Sequence, residues 1–250
     1  MRVEPDLVQT NILRSVDPAF SFFVFFRIND VAAFRLFLAS ALDKSLNFAG
    51  VQTGIYSERD RLPHRRRSIE NAATATGPSS ESHSLHMNVG FTLSGLEALG
   101  VEEETRKSFP EPFREGMAAR AAILGDDGVS VPDHWDGYLG SREVHGVLWW
   151  NWWDVCREDR LPGEAHSKLE KQAHSTWDQI KKLIPDHGIE LLHSETGAAN
   201  YQRFASGEID RVEHFGFRDG ISQPWIDFAI SDSINPVSYT HLTLPTILRV

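Results

Sequence analysis

The nine residues Phe20–Ile28, FSFFVFFRI, are the most hydrophobic window of the chain and open its fold. A continuous run of β-favouring residues predicts a strand that is buried on both faces. Asn29 and Asp30 are residues that can cap a following helix. From Val31 to Leu46 the apolar residues fall on one helical stripe, formed by Phe34, Leu38, Ala41 and Leu42. The sequence therefore predicts a strand followed by an amphipathic helix, the opening of an α+β or α/β unit.

The rest of the chain supplies the remaining elements of a small mixed fold. Alternating or apolar runs predict further strands at Val51–Tyr56, Leu85–Phe91, Val144–Trp150 and Ile189–His193. Thr92 to Gly100 reads as a capped helix that ends at a glycine, and His166–Ile184 reads as an amphipathic helix stopped by Pro185. This order is the ferredoxin-like, split βαβ pattern. The fold class predicted is α+β, an antiparallel sheet with helices on one face.

A second informative stretch is Phe215–Pro224, FGFRDGISQP, at the end of the chain's patterned part. Gly216 and Gly220 permit backbone angles or close approaches that a Cβ would forbid. Asp219 is therefore predicted on a loop whose backbone can lie against a flat cofactor. An Asp-Gly pair between apolar runs is also an ordinary turn, and that interpretation stands beside the first.

The longer string GFRDGISQP resembles the GxxDG motif of dye-decolorizing peroxidases, a family of haem enzymes. Three other blocks resemble that family in the same order: Leu7–Leu13, in which Thr10 replaces the usual Gly; HMNVGFTLSGLEALGV, residues 86–101; and Phe109–Asp126. The resemblance covers roughly residues 7–230. It implies that the chain forms one ferredoxin-like half of a dimeric α+β barrel type of fold.

The resemblance stops soon after the motif. Residues 235–250 neither match the family nor form a recognisable element, so we expect residues 1–234 to be an N-terminal half and 235–250 a foreign tail. The resemblance places the proximal His and the distal Arg in a C-terminal half, which we expect this truncated chain to lack.

The resemblance also implies a function. The family reduces hydrogen peroxide while oxidising organic, dye-like or phenolic reductants, with haem b whose axial ligand comes from the C-terminal half. Asp219 matches the family's distal acid–base group, and its ordinary pKa of about 3.9 suits acidic working conditions. Phe217, Gly220, Ile221 and Ser222 are predicted to contact haem on its distal side. Arg218 receives no charge-stabilising role, because neighbouring residues on an extended stretch point to opposite faces.

Two alternatives remain open at this stage. The chain can be a non-catalytic ferredoxin-like binding or assembly module in which Asp219 is only a turn residue. It can also be a haem-handling protein, for haem uptake or iron release, without peroxidase turnover. No histidine of this chain is predicted to ligate a metal: His83 and His86 form an isolated His-x-x-His pair, His214 lies just before the motif, and His241 lies in the tail. The tryptophans at positions 149, 150, 152 and 153 favour packing over electron relay.

The composition and net charge of the chain limit the classes of partner that it can bind. The net charge of −10 disfavours nucleic acid, since phosphate binding needs a basic face. A single cysteine, Cys156, rules out an internal disulfide and a cysteine-based zinc site. The N-terminus has no apolar core of signal-peptide length, and no apolar window is long enough to cross a bilayer. The sequence thus predicts a cytoplasmic protein without membrane contact. Exposed strand edges of a half-fold predict self-association into a homo-oligomer.

Overall fold

The computed structural model describes residues 7–9, 18–48, 50–57, 84–136, 138–153 and 161–218. These residues build a six-stranded sheet, with two long helices packed on one face, and a separate two-stranded hairpin. The strands are β1 Phe20–Ile28, β2 Leu46–Phe48, β3 Val51–Ile55, β4 Ser84–Phe91, β5 Gly146–Trp153, β6 Ile189–Ala198, β7 Asn200–Arg203 and β8 Ile209–Val212. The α-helices are α1 Val31–Leu42, α2 Leu93–Ala98, α3 Glu103–Lys107, α4 Glu111–Glu115, α5 Ala121–Leu124 and α6 Glu164–Leu183.

The sheet has the strand order β2-β3-β4-β5-β1-β6. Within it, β4, β5, β1 and β6 are paired antiparallel and are connected through α1 and α6 as a split βαβ unit. The predicted α+β, ferredoxin-like fold is therefore confirmed. The short β2–β3 hairpin extends the sheet, and β3 pairs with β4 in parallel, an exception to the predicted antiparallel sheet.

Strand β1 lies between β5 and the edge strand β6, and it is not equally buried on its two faces. Every second residue, from Phe20 to Ile28, is buried, while the residues between them are only half-buried. The prediction of a strand buried on both faces was wrong for this reason. The buried set faces the helices, because it shares the core with Ala173, Trp177 and Ile180 of α6. The opposite face of the sheet carries the half-buried set.

Helix α1 begins where the sequence predicted. Asp30 is its N-cap, and its carboxylate accepts hydrogen bonds from the backbone N–H groups of Ala32 and Ala33. The buried stripe differs from the predicted one, because Phe37 is buried and Leu42 is exposed. The helix ends at Leu42 and not at Leu46, and the chain turns at Lys44, which has a positive φ of 57°, into β2.

The tryptophans do not form one cluster. Trp150 and Trp152 point into the helix-side core, where Trp150 lies 5.7 Å from the ring of Trp177. Trp149 pairs with Phe23 of β1 on the opposite, half-buried face. Because side chains alternate along a strand, consecutive tryptophans are separated by the sheet. The packing interpretation of these residues is the one that the geometry favours.

His145 precedes β5 and forms two hydrogen bonds to β1, just beyond the last paired residues of these strands. Its backbone N–H donates to the carbonyl of Phe26 at 2.8 Å, and its Nδ1 accepts from the backbone N–H of Ile28 at 3.0 Å. The imidazole must be neutral to accept that bond. Burial, with the nearby Arg27 guanidinium, lowers the pKa of His145. Burial against Phe37 and Phe48 likewise lowers the pKa of His187.

The lowered pKa values of His145 and His187 predict that the folded state loses stability in acid. A folded-state pKa below the ordinary 6.5 means that the unfolded chain binds protons more readily, so stability is full above pH 6.5 and falls as the pH drops. We expect the thermal unfolding midpoint to decrease steadily between pH 7.5 and 5.5. The double variant His145→Gln, His187→Gln should flatten that slope. A midpoint that rises on acidification over this interval would contradict the assignment.

No helix among the described residues combines the length and the apolar character needed to cross a membrane.

Candidate functional site

The segment that leads to the GxxDG motif is a hairpin that the sequence pattern did not predict. Strands β7 and β8 pair antiparallel, and the connecting turn is closed by a hydrogen bond from the Phe204 N–H to the Glu208 carbonyl at 2.9 Å. Gly207 adopts a positive φ of 85° in this turn. The Ser206-Gly207 pair is a recognised turn signal, so the hairpin was detectable in the sequence.

The motif's first glycine sits in a tight turn after β8. The strand ends at Val212, the Glu213 N–H donates to the Phe217 carbonyl at 2.7 Å, and the Gly216 N–H donates to the Glu213 carbonyl at 2.9 Å. Gly216 has a φ of +85°, a conformation that other residues rarely adopt. Gly216 thus adopts a backbone conformation of the kind that the sequence predicted for it.

Two aromatic side chains project from this turn. Phe215 is 85% exposed and Phe217 is 71% exposed. Phe217, a predicted distal haem contact, therefore presents a free apolar surface among the described residues. Asp219, Gly220, Ile221 and Ser222 lie outside the described residues, and their roles stay predictions.

Arg218, the residue before Asp219, is anchored to the hairpin. Its Nη2 donates to Glu208 at 2.7 Å, its Nε lies 3.2 Å from a carboxylate oxygen of Asp210, and its guanidinium stacks on Phe204 at 4.5 Å from the ring centre. The hydrogen bond from Arg218 to Glu208, together with the charge of that carboxylate and of Asp210, raises the pKa of Arg218. Its charge is thus already balanced by two carboxylates.

The anchor predicts a measurable local effect. In Arg218→Met the Glu208 and Phe204 contacts are lost, so we expect the Glu213 amide to exchange with solvent several-fold faster. The Arg114→Met variant, at a cationic residue remote in sequence, should leave that exchange rate unchanged. Amide exchange followed by mass spectrometry measures both, and equal protection in Arg218→Met and wild type would show that the anchor does not hold the turn.

A cavity of about 440 Å³ lies beside the turn. It is bounded by Ser21 at the start of β1, by the end of β6, and by residues 211–215. His214 lines this cavity, and its Nδ1 accepts from the Asn200 side-chain amide at 2.9 Å. The cavity therefore joins the sheet edge to the turn that carries Phe215.

The described residues do not by themselves fit a haem group. Of the histidines considered above, His86 is buried and stacks on Tyr56 at 4.4 Å, and His214 is exposed on the rim of an open cavity. Neither faces an enclosed slot with room for a macrocycle beside it. Within the described ranges, no group of three His, Cys, Asp or Glu side chains is arranged to hold a metal ion. The resemblance places the axial ligand for haem in a C-terminal half, outside the described residues.

Comparison with known proteins identifies the class of this fold. The family described as the DyP dimeric alpha+beta barrel domain matches residues 7–151. A dye-decolorizing peroxidase of Mycena epipterygia is 26% identical over 231 residues, which cover 92% of this chain and 34% of the relative. The chain therefore spans about a third of the length of the curated relative that it matches.

Solved structures agree on the fold. A mutant of the dye-decolorizing peroxidase from Pleurotus ostreatus superposes with a TM-score of 0.60 at 21% identity, covering 91% of this chain and 41% of that one. An ancestral D-type dye-decolorizing peroxidase gives a TM-score of 0.58 at 23% identity, with coverage of 90% and 40%. The mixed sheet with helices on one face and this family match define a ferredoxin-like α+β domain. The chain belongs to the DyP dimeric alpha+beta barrel domain family.

Proposed function

We propose that this chain is the N-terminal, ferredoxin-like part of a haem peroxidase of the dye-decolorizing type. The observation that carries the proposal is the family match over residues 7–151, followed in the expected order by GFRDGISQP at residues 216–224. Similarity to peroxidases from Mycena epipterygia and Pleurotus ostreatus supports it. Residues 1–234 would then form this part, and residues 235–250 a tail that is foreign to the fold.

The proposed role of Asp219 is to move a proton within bound peroxide. Its carboxylate takes the proton from one peroxide oxygen and delivers a proton to the other, so that the second oxygen leaves as water. A bound haem b would supply the two electrons that this cleavage consumes. Phe217, Gly220, Ile221 and Ser222 are proposed to line the distal side, and the exposed ring of Phe217 is free to do so.

The proposed partners follow from the same chemistry. Hydrogen peroxide is the oxidant, and an organic reductant such as a dye-like or phenolic compound restores the enzyme. We also propose, from the sequence alone, that the protein is cytoplasmic and that it self-associates. The half-buried sheet face, with Phe23 and Trp149, is consistent with self-association because it leaves apolar surface outside the helix-side core.

A haem titration tests the proposal. The complete gene product that contains this chain, and the chain alone, are titrated with haemin and followed by optical absorbance. We expect a sharp, saturating Soret band from the complete gene product. We expect a weak or absent band from residues 1–234 alone, because the resemblance places the axial ligand in a C-terminal half.

The outcomes separate the three candidate functions. Soret formation with peroxide turnover supports the peroxidase. Soret formation without turnover favours the haem-handling alternative. If the complete gene product fails to bind haem at all, the peroxidase proposal is wrong and the non-catalytic binding module takes its place.

A further inference from the structure

A second cavity, of about 530 Å³, lies away from the GxxDG turn. It opens between the adjoining ends of β1, β4 and β5 and the segments around residues 112–118 and 139–144. Its walls are mainly apolar and include Phe25, Phe91, Leu93, Phe113, Leu139 and Val147. A volume of this size is in the range of small-molecule sites, about 300–1,000 Å³.

A glycine in the sheet leaves room for this cavity. A Cβ built on Gly90 would make only ordinary contacts, 3.5 Å from Val147 and 3.7 Å from Trp149. Neither steric crowding nor a positive φ therefore requires glycine at this position. Gly90 lines the cavity, and its missing side chain leaves open volume there.

The polar groups of the cavity are almost all satisfied within the protein. The hydroxyls of Thr92 and Ser94 both donate to the Val144 carbonyl. Arg142 forms an ion pair with Glu97 at 2.8 Å, and Glu115 forms one with Arg120 at 2.7 Å.

Arg114 is the exception. Arg114 borders the cavity and is exposed, and its side chain makes no hydrogen bond or ion pair with any described residue. An apolar cavity thus has one uncompensated positive charge at its rim. The complementary ligand has an apolar body and a single negative charge.

We propose that this cavity is a binding site for an amphipathic monocarboxylate, with its apolar body against Phe91 and Val147 and its carboxylate on Arg114. The planar guanidinium can hold a carboxylate through two parallel hydrogen bonds. One unpaired cation matches a monoanion better than a phosphate dianion. The site is separate from the proposed peroxidase function, and its test needs no haem.

The probe is 11-(dansylamino)undecanoic acid, whose fluorescence rises when its apolar chain leaves water. We expect saturable binding to the complete gene product that contains this chain, without added haemin, displaced by dodecanoic acid and far less by dodecanol. Arg114→Gln should weaken binding about tenfold, as the loss of a charge-assisted pair does. The matched control is Arg142→Gln, which also borders the cavity but whose charge is already paired with Glu97.

A second variant tests the volume. Gly90→Val adds a β-branched side chain to the cavity lining, and we expect it to abolish probe binding while keeping the circular dichroism spectrum. If Gly90→Val does not fold, Arg114→Gln still decides the matter, because its side chain contacts no described residue through a polar bond. Equal affinity of wild type and Arg114→Gln, or equal displacement by dodecanoic acid and dodecanol, would overturn the proposal.

Discussion

Replacing Asp219 by Asn in the complete, haem-loaded gene product should lower kcat/KM for peroxide by a factor of about 10²–10⁴, the usual contribution of a positioned acid–base group. Asn has nearly the same shape as Asp, so it can keep the loop's hydrogen bonds, but it cannot accept and return a proton. The rate is followed by steady-state oxidation of a phenolic reductant, and the Soret band verifies that haem stays bound.

The matched control is Glu213→Gln. Glu213 is an exposed carboxylate in the turn that leads to the motif, and the turn uses its backbone atoms. We expect its kcat/KM to stay close to wild type. If both variants lose the same activity, the effect reflects a disturbed turn. If Asp219→Asn is as active as wild type, the acid–base role is wrong.

The second large effect concerns stability. Gly95 lies in α2 where the helix crosses the loop before β5, and a Cβ there would overlap the carbonyl oxygen of His145, a backbone atom that cannot move independently. Gly95→Ala should therefore cost about 3 kcal/mol of unfolding free energy, at the upper end for overpacked sites. Urea unfolding followed by circular dichroism measures the loss.

Gly197 supplies the control for this experiment. It lies in β6, its φ is not in the left-handed region, and a Cβ there would meet nothing within 4 Å. Gly197→Ala should leave the unfolding free energy unchanged or slightly raised, because alanine restricts the unfolded chain. A Gly95→Ala protein that unfolds at the same urea concentration as Gly197→Ala would show that α2 does not pack against His145.

Much of the fold could be predicted because its signals are local. The run at Phe20–Ile28, the Asp30 cap and the capped helix from Thr92 to Gly100 each follow from side-chain type and spacing. Thr92 is the N-cap of α2, and Gly100 has a φ of +73° just after it. Such signals need no knowledge of the rest of the protein.

The predictions of burial and of strand bounds were wrong where tertiary contacts, and not the local sequence, determine the structure. Phe37, and not Leu42, is buried, because β2 and His187 pack on the Phe37 side of α1. Strand β2 is only three residues long, too short to show a period, and so its residues were assigned to the helix or to no element. Strand β6 continues to Ala198 through polar residues, because pairing with β1 supplies its hydrogen bonds.

The candidate site was predictable only in its motif. The turn at Gly216 follows from the string itself. The exposure of Phe217 was not predicted, and the anchoring of Arg218 requires Glu208 and Asp210 to lie across a hairpin. The cavity at Arg114 had no signal in the sequence, because its walls come from strands and loops that are more than 100 residues apart.

The measurement that tests the central claim most directly is peroxide-driven oxidation of a phenolic reductant by the haem-loaded complete gene product. Free haem at the same concentration is measured in parallel. The proposed function predicts a rate far above that of free haem, which requires both haem and peroxide and is lost in Asp219→Asn. A rate equal to that of free haem, with haem demonstrably bound, would contradict the assignment of this chain to a working peroxidase.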